Sequence, residues 1–148
     1  MPRTRKAGTP ARMGTAGYSG TPLAQKLGYK PGLKALVQDA PDEYADWLAP
    51  LPAGVEFQAR LRPDTQLIHV FVHSRAALVQ RLGALRSKMD TSAAIWVSWP
   101  KKSSKVPTDL TEDTLREVAL PLGLVDVKVC AVNDVWSGLK LVVRKELR

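Results

Sequence analysis

The sequence predicts a three-layer α/β domain in which a mostly parallel β-sheet ends in an antiparallel hairpin at one edge. Two observations predict this fold. Short apolar runs of strand length alternate with segments of helical periodicity, and strands that alternate with helices form parallel sheets through right-handed crossovers. Only about six residues join the last two predicted strands. That connection is too short for a crossover helix, so these two strands are expected to pair antiparallel.

The composition suits a single globular domain. The chain has 148 residues, of which 45% are hydrophobic and 24% are charged, and a chain of this length buries roughly two thirds of the surface that its unfolded form exposes. Its one cysteine, Cys130, excludes an intramolecular disulfide and a cysteine-cluster zinc site. No apolar run approaches the ~20 residues of a membrane span, and no apolar signal region follows the basic start. We therefore expect a cytoplasmic protein with neither a membrane nor a metal partner.

The positive charge is concentrated at the start of the chain. The formal net charge is +8, yet residues 1–38 hold seven bases and no acid, whereas residues 39–148 hold 15 bases and 14 acids. Residues 1–17 are rich in Gly, Pro, Thr, Ala and Arg and show no periodicity. We therefore predict a disordered basic tail over residues 1–17 and one domain over residues 18–148.

Turn chemistry predicts the first helix and strand. Thr21 is a good N-cap, Pro22 suits the first helical position, and Gly28 suits the position just after a helix. The turn Lys30-Pro31-Gly32 then leads into a short buried strand over residues 34–38. A short helix over residues 42–49 and a strand over residues 55–59 follow.

The middle of the chain carries the strongest periodicity. Residues 66–73 (QLIHVFVH) and 93–99 (AAIWVSW) are predicted to be buried strands. Between them Ser74 is the expected N-cap of a long helix over residues 75–89. Four apolar residues recur in that helix at helical spacing: Leu78, Leu82, Leu85 and Met89.

One more helix and two strands close the chain. Thr111 is the expected N-cap of a helix over residues 112–122, whose early acids suit the positive end of a helix. The two strands of the edge hairpin are predicted over residues 125–132 and 139–145. A turn over residues 133–138 joins them.

Two stretches connect this layout to a known fold. Residues 27–32 (LGYKPG) look like the LGLKPG segment that precedes the first strand of class I, S-adenosylmethionine-dependent methyltransferases, and residues 82–99 look like the helix, turn and strand after that family's central strand. The terminal hairpin matches as well. The chain thus resembles a reduced, Rossmann-like methyltransferase fold over most of residues 22–145.

The residues that would hold the cofactor depart from that family's pattern. Methyltransferases place an acid and a Gly-x-Gly turn after the first strand, whereas residues 37–43 (VQDAPDE) contain no glycine. Pro41 removes an amide donor, and three acids crowd a helix N-terminus that would otherwise bind an anion. The second strand ends in Ala59-Arg60, without the acid that binds ribose hydroxyls. The chain is also short by one strand–helix unit, so we expect no bound cofactor.

Four further stretches resemble the bacterial domain-of-unknown-function family 3052. They are residues 17–23 (GYSGTPL), 96–102 (WVSWPKK), 107–112 (PTDLTE) and 135–139 (VWSGL). The resemblance covers residues 17–145. It implies a small bacterial protein and supplies no activity.

Candidate site residues lie where the parallel strands are expected to end. Ligands of open parallel sheets bind beyond the carboxyl ends of the strands, near the point where the strand order reverses. The loop over residues 99–105 (WPKKSSK) offers three ammonium groups, two hydroxyls and a stacking face for an anion. The candidate ligand-binding residues are Lys101, Lys102, Ser103, Lys105, Trp99, His73, Arg75 and Asp39. The alternative interpretation is a solvated loop, with Trp99 in the core.

The hairpin turn supplies a second candidate surface. Asn, Asp and Gly are expected turn residues, so Trp136, at the predicted tip, is the residue that needs an explanation. It either folds back over the sheet or contacts a partner, and Asp134 would share that contact.

Catalysis is not expected from the sequence. Ser74 stands beside His73, but adjacent residues rarely form a nucleophile–base pair, and Ser74 is better placed as an N-cap. No Gly-x-Ser-x-Gly motif occurs in the chain. Cys130 lies in a predicted strand, where a lone cysteine is usually structural.

Basic residues provide candidate contacts to nucleic acid or to an acidic protein. Those in the tail are Arg3, Arg5, Lys6 and Arg12. The helix over residues 75–89 adds four bases and contains no acid. Since no known base-reading motif is present, such contacts would be made to phosphates.

The main functional prediction from the sequence is a non-catalytic binding or interaction module on a degenerate methyltransferase-like fold. Two alternatives remain open. The first is a nucleic-acid or ribosome-associated accessory protein that uses its basic tail. The second is a small methyltransferase-like enzyme with a non-standard site.

Overall fold

Six strands form one sheet in the computed structural model, which describes residues 20–148. The strands are β1 (Lys34–Gln38), β2 (Glu56–Gln58), β3 (Leu67–Phe71), β4 (Ala94–Pro100), β5 (Leu124–Ala131) and β6 (Trp136–Val143). The α-helices are α1 (Leu23–Leu27), α2 (Tyr44–Leu48), α3 (Arg75–Lys88) and α4 (Glu112–Ala119). Short 3-10 turns cover Lys102–Ser104, Leu120–Leu122 and Lys145–Leu147. The tail predicted over residues 1–17 lies outside the described residues.

The strand order is β2-β1-β3-β4-β6-β5. Strands β2, β1, β3 and β4 are parallel, whereas β6 runs antiparallel to both β4 and β5. This confirms the predicted α/β fold with an antiparallel edge hairpin. The chain passes from β1 to β2 on one side and then returns to β3 on the other side, so the strand order reverses between β1 and β3.

Each face of the sheet has its own apolar layer. Leucines of α3 and α4 pack on one face, together with side chains such as Ile68 and Ile95. Residues of α1 and α2 pack on the other face around Trp96, whose Nε1 donates to the carbonyl oxygen of Leu27 at 2.7 Å. Trp96 is completely buried, so this bond fixes α1 to the centre of the sheet.

Both predicted caps on the first of these faces are present. The amide of Ala77 donates to Ser74 Oγ at 3.1 Å, and the amide of Thr114 donates to Thr111 Oγ1 at 3.2 Å. Each bond satisfies an amide that the first turn of a helix leaves without an intrahelical acceptor. The predicted starts of α3 and α4 are therefore confirmed.

Several predicted boundaries need correction, among them the end of α4, which lies at Ala119 because residues 120–122 form a 3-10 turn. Pro22 rather than Thr21 occupies the cap position of α1, because its backbone is extended (φ −56°, ψ 142°). Helix α2 begins at Tyr44 and not at residue 42, since the Tyr44 amide donates to the Pro41 carbonyl in a turn. Strand β6 begins at Trp136, three residues earlier than predicted, so this tryptophan is not at the tip of a turn.

Asn133 explains the early start of β6. Its Oδ1 accepts hydrogen bonds from the amides of Val135 and Trp136, at 2.8 and 2.9 Å. A side chain that closes a turn on its own backbone shortens the connection between two strands. The indole of Trp136 is consequently buried in the layer beneath α2.

The helices of residues 20–148 include none that combines the length and the apolar character needed to cross a bilayer.

Two glycine substitutions should change stability in opposite directions. A Cβ at Gly138 would lie 3.3 Å from both Trp96 Cε3 and Val132 Cγ2, and the buried, hydrogen-bonded indole cannot move away. We expect Gly138→Ala to lower the free energy of unfolding by about 1–3 kcal/mol. Gly83, inside α3, has no atom within 4 Å of its added Cβ. Gly83→Ala should therefore raise that free energy by about 0.5–1 kcal/mol, through the better helix propensity of alanine.

Urea denaturation of the two variants checks this pair. Equal stability of Gly138→Ala and the parent protein would contradict the packing described around Trp96.

Candidate functional site

Three connecting segments meet at the carboxyl edge of the parallel strands. The Thr108 hydroxyl donates to the His73 carbonyl oxygen at 2.7 Å, and the Arg75 amide donates to Asp109 Oδ1 at 2.8 Å. The amide of Lys101 donates to the carbonyl oxygen of Val135 in the β5–β6 turn at 2.7 Å. The loops after β3 and β4 and the hairpin turn therefore form one connected rim.

The turn after β1 has an unusual backbone. Asp39 is in the left-handed region, with φ of 61°. This conformation favours glycine and is tolerated by aspartate, at a cost of about 1 kcal/mol. The Asp39 carboxylate accepts from the guanidinium of Arg81 on α3 at 2.8 Å. This candidate residue therefore faces α3 and not the loop over residues 99–105, here called the lysine loop.

Two more acids follow in the same turn. Asp42 and Glu43 are exposed just before α2, and no base among residues 20–148 lies within ion-pair distance of either. The turn over residues 39–43 therefore has a negative charge that the fold itself does not neutralise.

Gln38, the last residue of β1, adds an unsatisfied acceptor beside this turn. Its Oε1 is buried, and no hydrogen-bond donor of the described residues reaches it. Buried polar atoms in folded proteins nearly always have a partner, and an exception needs a specific explanation. The exception here lies at the point where the strand order reverses.

A continuous run of buried hydrogen bonds crosses the sheet behind the turn. The hydroxyls of Tyr29 and Tyr44 are 2.8 Å apart, and Tyr44 Oη lies 2.8 Å from His69 Nδ1. His69 Nε2 lies 2.7 Å from Ser98 Oγ. These four side chains, here called the buried polar chain, connect the segment before β1 with α2, β3 and β4.

Burial determines the protonation of this chain. It lowers the pKa of His69 to about 3, so the imidazole is neutral, with one ring nitrogen donating and the other accepting. Burial also raises the pKa of Tyr29 to about 12 and raises that of Tyr44 further. The whole chain is therefore uncharged at neutral pH.

Aromatic rings fill the space between the buried polar chain and the rim. The Phe71 ring makes an edge contact with Trp136 at 5.0 Å between centroids, and Trp136 makes another with His73 at 5.2 Å. Trp47 of α2 lies 6.4 Å from Phe71. Of these rings, only that of His73 is exposed at the rim. The chain therefore folds Trp136 back over the sheet, the first of the two alternatives raised for it.

The lysine loop forms a separate shallow cavity. Lys101, Lys102 and Trp99 contribute to a space of about 420 Å³, but Glu112 and Asp113 of α4 line it too. Arg116 lines this space as well and pairs with both acids, at 2.7 and 3.3 Å, so the lining has a net positive charge that the two lysines carry. Anion binding by this loop therefore stays a prediction. Trp99 itself is buried in the layer under α3 and α4.

The remaining candidate residues are scattered. Ser103, Lys105 and Asp134 are not buried, and none of them lines the cavity of the lysine loop. The Arg75 guanidinium pairs with Glu117 on α4 at 3.0 Å. Arg3, Arg5, Lys6 and Arg12 lie outside the described residues, so contact with nucleic acid stays a prediction.

Sequence reasoning missed the buried polar chain. His69 and Ser98 each interrupt a strongly apolar strand, and a polar residue in such a run needs an internal partner. That signal was present for both strands. The partner Tyr44 could not be identified without the fold, since it lies 25 residues from His69 in sequence.

Solved structures that are similar to this chain include proteins described as methyltransferases. A SAM (S-adenosylmethionine) dependent methyltransferase from Aquifex aeolicus matches 82% of this chain and 88% of its own, with 13% identity and a TM-score of 0.54. Magnesium protoporphyrin IX methyltransferase from Synechocystis PCC 6803, with bound SAM, matches 82% and 74%, with 10% identity and a TM-score of 0.52. TrmN from Thermus thermophilus matches 82% and 47%, with 12% identity and a TM-score of 0.53. No family model and no curated protein matches the chain.

These similarities show a methyltransferase-like Rossmann fold and correct the main functional prediction. A non-catalytic interaction module was expected because the glycine turn is missing. Structures described as methyltransferases share the fold nonetheless, so the missing glycine turn does not by itself support a non-catalytic module.

The buried histidine should make stability depend on pH. The folded-state pKa of His69 is about 3 and an unfolded histidine has a pKa of about 6.5. As the pH falls through this interval, the unfolded chain binds a proton that the folded chain does not bind. The free energy of unfolding should therefore fall by about 1.4 kcal/mol per pH unit from this residue alone. Urea titrations between pH 7 and 4 measure it, with His73→Gln as the control that retains the slope.

The matching variant is His69→Asn, in which this part of the slope should be lost. If that variant does not fold, the imidazole NMR shifts of the parent protein provide the test. A ring at position 69 that titrates near pH 6.5 would contradict the assignment.

The turn after β1 offers a stability test of its own. Asp39→Ala and Asp39→Gly both remove the ion pair with Arg81, so their difference reports the left-handed backbone. We expect the alanine variant to be less stable by roughly 1 kcal/mol. Equal stability in urea denaturation would show that residue 39 does not need this conformation.

Proposed function

We propose that the chain is a small methyltransferase-like enzyme that binds S-adenosylmethionine at the carboxyl edge of β1 and β3. One observation carries the proposal: the acid-bearing turn over residues 39–43, with its left-handed Asp39, stands where the strand order reverses. Ligands of open α/β sheets bind at this point. The methyltransferases that share the fold support the choice of ligand.

The charge of the turn fits this cofactor. S-adenosylmethionine carries a sulfonium and an ammonium group against a single carboxylate, so it is a cation. Asp42 and Glu43 have no ion-pair partner among residues 20–148, and no donor of those residues reaches Gln38 Oε1. The acids that disfavour an anionic ligand here are those that favour a cationic one.

The left-handed backbone of Asp39 offers a parallel to the missing glycines. Glycine is the usual residue where a turn requires positive φ, and aspartate is one of the few residues that can replace it. We assign Asp39 the task of shaping the turn and the neighbouring Asp42 and Glu43 that of attracting the cofactor. No acid stands directly after β2, where Ala59-Arg60 follows, so we assign no residue to the ribose.

The bound cofactor would supply an electrophilic methyl group. The residues of this chain would position it and manage the proton. The buried polar chain fixes α2, and therefore the turn that precedes it, to the central strands. Phe71 and Trp136 exclude water from beneath the rim. His73, the histidine at the rim, is the group we assign to accept the proton that the methyl acceptor loses.

The finer family assignment belongs to this proposal as well. Four stretches of the chain resemble the bacterial domain-of-unknown-function family 3052. The β4 loop and the hairpin turn, which contain two of them, are joined by the bond from the Lys101 amide to the Val135 carbonyl. We propose that members of that family share this rim.

Calorimetry with S-adenosylmethionine and S-adenosylhomocysteine tests the proposal. The parent protein should bind both saturably, and the sulfonium form should lose about tenfold in affinity when Asp42→Asn and Glu43→Gln are combined. The matched control combines Asp113→Asn and Glu117→Gln on α4, at the other face of the sheet, and should bind like the parent. Absence of binding at millimolar cofactor, or equal losses in both double variants, would refute the proposal.

A further inference from the structure

A second cavity, of about 360 Å³, opens at the same carboxyl edge. It lies between the start of α1, the end of α2 and the β5–β6 turn, and its lining includes Pro22, Leu23, Lys26, Trp47, Val132 and Asn133. Its volume is within the range of small-molecule sites. None of the residues assigned to the cofactor lines it.

The walls of this cavity suit a flat, apolar body. Pro22, Leu23 and Val132 are apolar, and the half-buried indole of Trp47 adds an aromatic face. The rings of Tyr44 and Phe71 pack against this indole, with 6.1 and 6.4 Å between ring centroids. A rigid aromatic wall favours a planar ligand that can stack on it.

The lining contains the polar side chains of Thr21, Asn133 and Lys26, and the last two offer donors to a ligand. Asn133 Oδ1 already accepts from two backbone amides, so its side-chain NH2 is the group left for a ligand. Among the described residues of the lining only Lys26 is charged, and no acid among residues 20–148 lies within ion-pair distance of its ammonium. Two donors, one of them charged, call for a ligand that offers acceptor atoms and a negative charge.

A neighbouring lysine strengthens the positive field. Lys128 Nζ donates to the carbonyl oxygen of Lys26 at 3.4 Å. A groove of about 490 Å³ shares Thr21 and Lys26 with the cavity and is also lined by Lys128, and no acid of residues 20–148 lines either space. Burial raises the pKa of the Cys130 thiol, and the positive charges of both ammonium groups act in the opposite direction and lower it.

We infer that this cavity is a binding site for a small planar anion, such as an aromatic carboxylate. The rim would then separate ligands by charge, with a cation at the turn over residues 39–43 and an anion beside Trp47 and Lys26. The site itself follows from its own lining. Its use as the methyl-acceptor site is a reading that rests on the proposed function.

An NMR titration of the full chain with two matched probes tests the site. Indole-3-acetate is planar and anionic, and indole-3-acetamide has nearly the same shape without the charge. We expect both to shift the Trp47 indole and the Asn133 side-chain amide, with the acetate binding about five to ten times more tightly. Shifts absent at 10 mM of either probe, or equal affinities, would overturn the inference.

Variants of Lys26 locate the charge. Lys26→Gln should abolish the preference for the acetate. Lys26→Arg keeps the charge and should keep the preference, which would show that replacing Lys26 does not itself disrupt the fold. Lys30→Gln is the control, since Lys30 is exposed and outside the lining. A preference that survives in Lys26→Gln would also overturn the inference. The titrations contain no S-adenosylmethionine, so their outcome is independent of whether the cofactor binds.

Discussion

The buried polar chain places a demanding constraint on this molecule. Tyr29, Tyr44, His69 and Ser98 are all buried, and each depends on its neighbours for hydrogen bonds. Loss of the Tyr44 hydroxyl would leave both the Tyr29 hydroxyl and His69 Nδ1 without a partner, and each buried unpaired group costs about 1–3 kcal/mol. Helix α2 has only five residues, too few to be stable alone. Its position, and that of the turn before it, is therefore set by this chain together with buried Leu48.

That constraint explains how a turn without glycine can persist at the edge of the sheet. Asp39 is held in a left-handed conformation by the strand before it, by its ion pair with Arg81 and by the anchored helix after it. Strain of this kind persists where the surrounding structure fixes it. The same anchoring leaves Asp42 and Glu43 exposed at the rim. The acids at residues 39–43 and Lys26 in the cavity beside Trp47 thus give two parts of the same edge opposite charge. The net charge of the whole chain does not reveal this separation.

Strands, caps and topology could be predicted from the sequence because they depend on local patterns. The bounds of β1 and the caps Ser74 and Thr111 follow from apolar runs and side-chain chemistry, and the hairpin follows from a short connection. The rim could not be predicted in the same way. Trp136 entered the core because Asn133 closes a tighter turn than the composition indicated. Tyr44 contacts His69, and Trp47 lies beside the start of α1. These residues are distant in sequence, so local patterns do not predict their contacts.

The absence of glycine argued against a cofactor in the sequence, whereas the structure has a positive-φ aspartate at the same place, beside two acids that pair with no base of residues 20–148. An NMR titration with S-adenosylmethionine tests this reinterpretation most directly, because backbone amide shifts report where a ligand lies. If the cofactor binds where we propose, the largest amide shifts will occur at residues 38–43 after β1 and at residues 72–75 after β3. Shifts confined to other parts of the chain, or none at millimolar cofactor, would contradict it.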